Sequence, residues 1–427
     1  MKISEKLIGR QWPQASTSIS ENSELTIIPG IQADHCNRCG NIVQTKLPSG
    51  QRYCRTCIGL GRITEGEVLV RYDQNIEFPQ VSDGGLTWHG EFTPEQAKIS
   101  NCLVKNYLTG IDSLVHAVTG AGKTEMLFPL LAQCLAQGKR ACIATPRIDV
   151  VNELYPRLSE AFAKMTIGKY HGREYSDPGL EQLTICTTHQ LLKFYHAFDL
   201  LVIDEVDSFP YVNDPQLHFG ALNSVKVTGR KVFLTATPTA DLLEQVKQNK
   251  LCKLTLKRRF HGGLLPVPEQ KLFLKPFINQ KGQLNQNLQK EIRKIIATGH
   301  PLLLFVPRIS EIDTYVKEVK KLCSDNQTVA GVHATDKRRL DKVQNFREGK
   351  TKVLVTTTIL ERGVTFRHVW VIIIAADDPI YTTASLVQIA GRVGRDKNDR
   401  NGRVLYCYHR YTKQLKAAMK QIKEMNQ

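Results

Sequence analysis

The chain has 427 residues, a length that accommodates two or three domains at roughly 150 residues each. Its hydrophobic content of 41% is that of a globular protein with real cores, and no apolar run, 369–376 included, nears the roughly 20 residues of a transmembrane helix. Lys and Arg number 58 against 41 Asp and Glu, and the resulting charge of +17 favours a polyanionic partner, nucleic acid ahead of an acidic membrane surface.

Residues 1–85 are rich in turn formers and carry paired cysteines. Residues 1–6 lead into no apolar stretch, so no secretory signal is expected and the cytoplasm is the default compartment. Cys36-Asn37-Arg38-Cys39 and Cys54-Arg55-Thr56-Cys57 form two CxxC knuckles with fourteen residues between them. Gly40 and Gly59 supply the tight turns that aim four sulfurs at one point. Four thiolates at about 2.3 Å would close a tetrahedral zinc site with no open position. A redox pair or free thiols are the alternatives, and His35 is a competing ligand. So small a module buries little surface, so the metal is expected to supply its folding energy. Arg38, Arg52, Arg55 and Arg62 decorate it and suggest contact with a strand or partner. Seven further cysteines stand singly. Cys142, Cys186 and Cys407 lie in apolar runs and read as core residues, and an odd total argues against a disulfide framework.

Ser82-Asp83-Gly84-Gly85 reads as a linker into a first α/β lobe, 86–265. Strands are predicted at 114–118, 141–145, 200–203 and 231–234, alternating with helical patterns, which is the signature of a parallel sheet wrapped by helices. Between the first strand and a helix opening at Lys123 stands Ala117-Val118-Thr119-Gly120-Ala121-Gly122-Lys123-Thr124, a phosphate loop in the required context, with Ala where the strict pattern has Gly at position 117. Thr119, Gly120, Ala121 and Gly122 would wrap ATP phosphates with backbone N–H groups, Lys123 would contact the β- and γ-phosphates, and Thr124 would help hold Mg²⁺. At the end of the third strand, Asp204-Glu205-Val206-Asp207 supplies two adjacent carboxylates: Asp204 for Mg²⁺, and Glu205 to orient and deprotonate the attacking water.

Gly262-Gly263-Leu264-Leu265-Pro266-Val267-Pro268 reads as an inter-lobe linker. A second α/β lobe, 266–427, restarts the pattern with strands at 302–306, 352–355 and 369–373. Lys257-Arg258-Arg259 and Lys337-Arg338-Arg339 are candidate backbone grips or solvated basic faces. Gln388-Ile389-Ala390-Gly391-Arg392-Val393-Gly394-Arg395 taken alone is a basic phosphate or RNA contact.

In this order and spacing the segments resemble superfamily 2 helicases of the DEAD/DEAH-like type, whose fold is a pair of RecA-like lobes. Phe92-Thr93-Pro94-Glu95-Gln96 looks like the element whose Gln reads adenine, which points to Gln96. Thr145-Pro146-Arg147 looks like motif Ia, Thr187-Thr188-His189-Gln190 takes the place of motif Ib, and Thr235-Ala236-Thr237 looks like motif III, which couples hydrolysis to strand binding. Thr356-Thr357-Thr358 through Glu361-Arg362-Gly363-Val364-Thr365 looks like motif V, and 388–395 like motif VI. The resemblance implies that Gly363 and Gln388 join the nucleotide set, and that Arg392 and Arg395 reach across the cleft to the γ-phosphate as arginine fingers.

Over nearly its full length the chain resembles the late competence protein ComFA family of transformable Gram-positive bacteria. The resemblance rests on the four-Cys module placed before the motor, on Asp204-Glu205-Val206-Asp207-Ser208-Phe209-Pro210-Tyr211, and on Arg259-Phe260-His261-Gly262-Gly263-Leu264-Leu265-Pro266-Val267-Pro268. It implies a single-stranded-DNA-dependent ATPase that drives DNA uptake at the inner face of the cell membrane, partnered by competence proteins such as ComFC and DprA. A PriA-like replication-restart helicase is the rival enzyme. PriA-type chains are usually longer and carry their cysteines in the second lobe. A nucleotide-locked DNA clamp that does not translocate is the rival outside motor proteins, and the intact Glu205, Arg392 and Arg395 argue against it.

Overall fold

A computed structural model describes residues 5–16, 24–72, 74–172, 177, 179–260, 262–324, 328–395 and 402–427. His261 of the junction and residues 1–4 lie outside the described residues. The chain divides into two compact units. The first is Met1–His116 with Lys123–Thr255, and the second is Ala117–Gly122 with Leu256–Gln427.

The first unit is built on a seven-stranded sheet in the order Cys252–Leu256, Ser113–Ala117, Val225–Thr235, Phe198–Asp204, Ala141–Thr145, Leu183–Thr187, Ile167–Tyr170. The strands from Ser113–Ala117 onward pair in parallel. Leu200, Leu201, Val202 and Ile203 are all buried, as a central strand covered on both faces requires. Pro94–Leu108 opens on a capping box: Thr93 Oγ1 accepts the Gln96 N–H, and Gln96 Oε1 accepts the Thr93 N–H.

The N-terminal segment forms a three-stranded antiparallel sheet, Arg10–Ala15, Glu67–Tyr72, Thr26–Pro29. It is fixed to the first lobe by many contacts. Gln11 Nε2 donates to the carbonyls of Leu192 (3.1 Å) and Phe194 (3.3 Å). The Arg10 guanidinium lies 4.0 Å over the Phe194 ring, and buried Arg140 donates to the Ile8 carbonyl at 3.0 Å. One apolar cluster runs from Cys36, Cys54 and Ile63 to Leu191, Leu192 and Phe194. The module therefore draws on the lobe's core for stability, beyond the folding energy that the sequence assigned to a metal. Ser82-Asp83-Gly84-Gly85 is likewise no free linker. Gly84 is buried at φ +61°, and a Cβ there would stand 2.1 Å from the Ala132 carbonyl oxygen, so only glycine fits this packed turn.

The second unit holds a six-stranded, wholly parallel sheet in the order Glu269–Leu272, Val404–Tyr408, Trp370–Ile373, Leu302–Phe305, Val353–Thr356, Val329–Val332. The helix Gln286–Ala297 turns Leu288, Ile292 and Ile295 into its core, the i, i+4, i+7 positions of one face. Each such side chain contributes about 1.5–3 kcal/mol relative to exposure. Leu265, in the predicted linker, is buried and exchanges both of its backbone hydrogen bonds with the Asn426 side chain. Among the described residues no helix is long and apolar enough to cross a membrane.

Candidate functional site

In the first unit, Lys123 and Thr124 open the helix Lys123–Met126 directly after the phosphate loop. Gly120 and Gly122 of that loop take φ values of +78° and +71°, which L side chains avoid. Lys123 Nζ stands 3.9 Å from Asp204 Oδ1, so the sheet's carboxyl edge brings the loop lysine and the strand-end carboxylate together. Glu205 sits at φ +56°, left-handed for a non-glycine residue, and its N–H donates to Asp204 Oδ1 at 2.9 Å. Such a conformation costs on the order of 1–3 kcal/mol, and strain of this kind concentrates at functional sites.

Asp207 is a residue whose role the sequence did not disclose. Its buried carboxylate accepts the Thr235 hydroxyl at 2.7 Å through Oδ1 and the Thr237 hydroxyl through Oδ2, so the strand-end acidic run is bonded to both threonines of Thr235-Ala236-Thr237. His116, on the strand feeding the phosphate loop, donates from Nε2 to the Ala236 carbonyl at 3.2 Å. Burial, with the positive charges of Lys253 and Lys123, pushes its pKa down to about 4, so the ring is neutral at pH 7. Gln96 is buried, with its amide oxygen in the helix cap. Along the motif Ia and Ib segments Thr145, Pro146, Thr187, Thr188 and Gln190 are buried, His189 is exposed and Arg147 is half-buried.

In the second unit, the helix Thr383–Ala390 carries Gln388, which is buried, and ends in the turn bearing Arg392 and Arg395. The two arginines differ in setting. Arg392 is 2% exposed and donates to the carbonyls of Glu361 (2.9 Å) and Val364, the two ends of the turn that holds Gly363. Arg395 is half-buried, with its Nε on the Gly391 carbonyl at 3.0 Å. Of the candidate grip Lys257-Arg258-Arg259, Lys257 and Arg258 are exposed but Arg259 is buried, which removes it from any solvent-facing patch.

The four cysteines Cys36, Cys39, Cys54 and Cys57 are buried, and their sulfurs lie within 4.8 Å of one another. The Cys36–Cys57 and Cys39–Cys54 separations are 3.8 and 3.5 Å. A tetrahedron with arms of about 2.3 Å has edges near 3.8 Å, so the donor set fits zinc. His35 is exposed, paired with Asp34, and stands outside the cluster. Arg38, expected on the surface, is fully buried: its Nε donates to Cys57 Sγ at 3.2 Å and its other nitrogens to the carbonyls of Leu60, Cys57 and Gly61. Arg52 pairs with Glu65 at 2.7 Å, which leaves Arg55 and Arg62 as the exposed cations of this set. Nothing in the sequence separates Arg38 from Arg55, since each lies inside a CxxC, yet Arg38 is buried against Cys57 and Arg55 is exposed.

The comparisons agree with this architecture. Residues 93–246 match the DEAD/DEAH box helicase family, and residues 284–397 match the helicase conserved C-terminal domain. Solved structures with the same fold include the Mycobacterium smegmatis helicase Lhr bound to ssDNA and AMP-PNP, at TM-score 0.59 and 15% identity over 78% of this chain and 48% of that one. S. cerevisiae Dbp5 bound to RNA and ADP BeF3 gives a TM-score of 0.53 at 16% identity, over 78% of this chain and 91% of that one. Fold, phosphate loop and paired carboxylates together define a two-lobed, nucleic-acid-dependent ATPase of the helicase class, with ATP and Mg²⁺ as its implied cofactors. The competence protein ComFA of Streptococcus pneumoniae is 38% identical over all of this chain and 99% of its own length, and that of Bacillus subtilis 40% over 92% and 85%. This chain belongs to the ComFA family. The replication restart protein PriA of Rickettsia conorii matches at 26% over only 46% of the chain and 32% of its own length.

Proposed function

We propose that this protein is an ATP-driven single-stranded DNA translocase that powers DNA uptake in natural transformation. The observation that carries the reading is the 38% identity to a competence protein along the whole chain, cysteine module included. The charge of +17 suits a grip on the DNA backbone, which needs cations and N–H groups rather than base readout. We take the motor to comprise 86–265 and 266–427, with 1–85 as its metal-binding module.

In this reading Thr119, Gly120, Ala121, Gly122 and Lys123 hold the phosphates, and Gln96, its oxygen fixed by the helix cap, reads the adenine edge. Thr124 and Asp204 hold Mg²⁺, which supplies charge neutralisation on the phosphates. Glu205 orients the attacking water and accepts its proton, beside the Asp204 carboxylate that fixes its N–H. Arg395, with Arg392 beside it on the same turn, meets charge developing on the γ-phosphate, and Gly363 and Gln388 complete the nucleotide's surroundings. Asp207, through Thr235 and Thr237, relays the state of the nucleotide to the strand-binding segments. Cys36, Cys39, Cys54 and Cys57 hold a structural zinc ion. Action at the inner face of the membrane with ComFC and DprA completes the proposal.

Steady-state ATPase rates of the zinc-loaded protein with no nucleic acid, single-stranded DNA, duplex DNA and RNA test the substrate assignment. Stimulation by single-stranded DNA is expected. Preference for branched duplex would favour the PriA-like alternative, and preference for RNA would overturn the uptake reading.

A further inference from the structure

Arg259 is a buried cation that the nucleotide reading leaves unused. It is 2% exposed, and its guanidinium donates from Nη1 to the carbonyls of Val393 (2.6 Å) and Gly394 (2.5 Å) and from Nη2 to that of Gly391 (3.1 Å). No carboxylate pairs with it among the described residues. Burial and the nearby charge of Arg395 push its pKa down to about 9. A buried charge without a counter-charge is costly and persists only where the surroundings need it.

The three carbonyls lie at and just beyond the C-terminal end of Thr383–Ala390, where peptide oxygens lack helical partners and the helix dipole favours a cation. The same turn carries Arg392 and Arg395. Its Gly391 carbonyl is a shared acceptor: Arg259 Nη2 reaches it at 3.1 Å, Arg395 Nε at 3.0 Å and Thr119 Oγ1 of the phosphate loop at 3.3 Å. The backbone next to Arg259 is tied to that loop as well, since the Phe260 N–H donates to the Gly120 carbonyl at 3.0 Å. All of these residues belong to the second unit.

We propose that Arg259 is a positioning residue for ATP hydrolysis: it clamps the turn Gly391–Arg395 by three carbonyls and so sets where the Arg395 guanidinium stands relative to the phosphate loop. The proposal rests on the reading of Arg395 as a γ-phosphate ligand. A planar guanidinium holds its donors on separate nitrogens at fixed angles, whereas the three donors of a lysine rotate on one nitrogen at the end of a flexible stem.

The test is kcat and KM for ATP at saturating single-stranded DNA, with fluorescent-ADP affinity and Tm, for wild type, Arg259→Ala, Arg259→Lys, Arg395→Ala and the Arg259→Ala/Arg395→Ala double variant. Misplacement of a reacting group by about 1 Å costs on the order of a hundredfold, so Arg259→Ala is expected to lose about tenfold to a hundredfold in kcat. KM and ADP affinity should stay within about threefold, the pattern of an interaction used in the transition state alone. Arg259→Lys should recover little of the loss. The double variant should be no slower than Arg395→Ala, because the two residues act as one unit. Wild-type kcat in Arg259→Ala, a loss confined to KM, or losses that multiply in the double variant would overturn the proposal. If Arg259→Ala shows no cooperative thermal transition, Arg259→Lys is judged by the same criteria. Wild-type turnover in Arg395→Ala would instead sink the underlying reading of that arginine.

Discussion

The carboxylate of Asp207 accepts the hydroxyl of Thr235 at 2.7 Å, and both groups are buried. This contact joins the segment that holds Glu205 to Thr235-Ala236-Thr237, which is proposed to couple hydrolysis to strand binding. Thr235→Val keeps the side-chain shape but leaves one Asp207 oxygen without its donor, at a cost of about 1–3 kcal/mol. The expected result is a lowered Tm, retained ATP binding and a fall in the ratio of DNA-stimulated to basal turnover. An unchanged ratio would assign the pair a purely structural role.

Lys123 and Glu205 separate binding from chemistry. Lys123→Ala should abolish productive ATP binding, because it removes the cation proposed to contact the phosphates and the neighbour of Asp204 at 3.9 Å. Glu205→Gln should bind ATP with near-normal affinity and lose turnover, since an amide cannot accept the proton of water. Normal turnover in either variant, measured by phosphate release, contradicts the assigned roles.

Binding of the zinc proposed for the cysteine module is expected to depend on Arg38, which acts through the Cys57 sulfur, as well as on the four cysteines. Arg38→Ala removes the donor to Cys57 Sγ and to three carbonyls, and losing a group that hydrogen-bonds a metal ligand weakens metal binding by about 10–100-fold. Competition with a chromophoric chelator measures it. Cys36→Ser should lose stoichiometric zinc outright. Because the cysteines share an apolar cluster with Leu191 and Leu192, chelation should lower single-stranded DNA affinity along with Tm. DNA binding untouched by complete zinc removal would show that the metal does not support the Thr188–Lys193 segment.

Acid should weaken the fold through His116. Its pKa is about 4 in the folded chain, against an ordinary value near 6.5 when unfolded. The unfolded state therefore takes up a proton first, so stability is full above about pH 6.5 and is lost progressively down to about pH 4. His116→Gln, which keeps a side-chain N–H for the Ala236 carbonyl, should flatten the dependence of Tm on pH across that window. An identical slope in wild type and variant would place the acid sensitivity elsewhere.

The sheets were legible in the sequence because their strands are continuous apolar runs, such as Leu200 to Ile203 ending on Asp204. The phosphate loop and carboxylate pair were legible because that chemistry depends on short local spacing. What the sequence hid is burial decided by distant segments. Arg259 looks the same as its solvated neighbours Lys257 and Arg258, and Arg38 the same as Arg55, until the carbonyls that receive them are brought close by the fold. The attachment of the N-terminal sheet was hidden for the same reason, because Gln11 meets its partner Leu192 across 181 residues of chain.

The central claim, that hydrolysis moves the protein along a single strand, is tested most directly by displacement of streptavidin from single-stranded DNA biotinylated at either end. The account predicts ATP-dependent displacement from one end, absent in Glu205→Gln. DNA-stimulated hydrolysis without displacement from either end would contradict it.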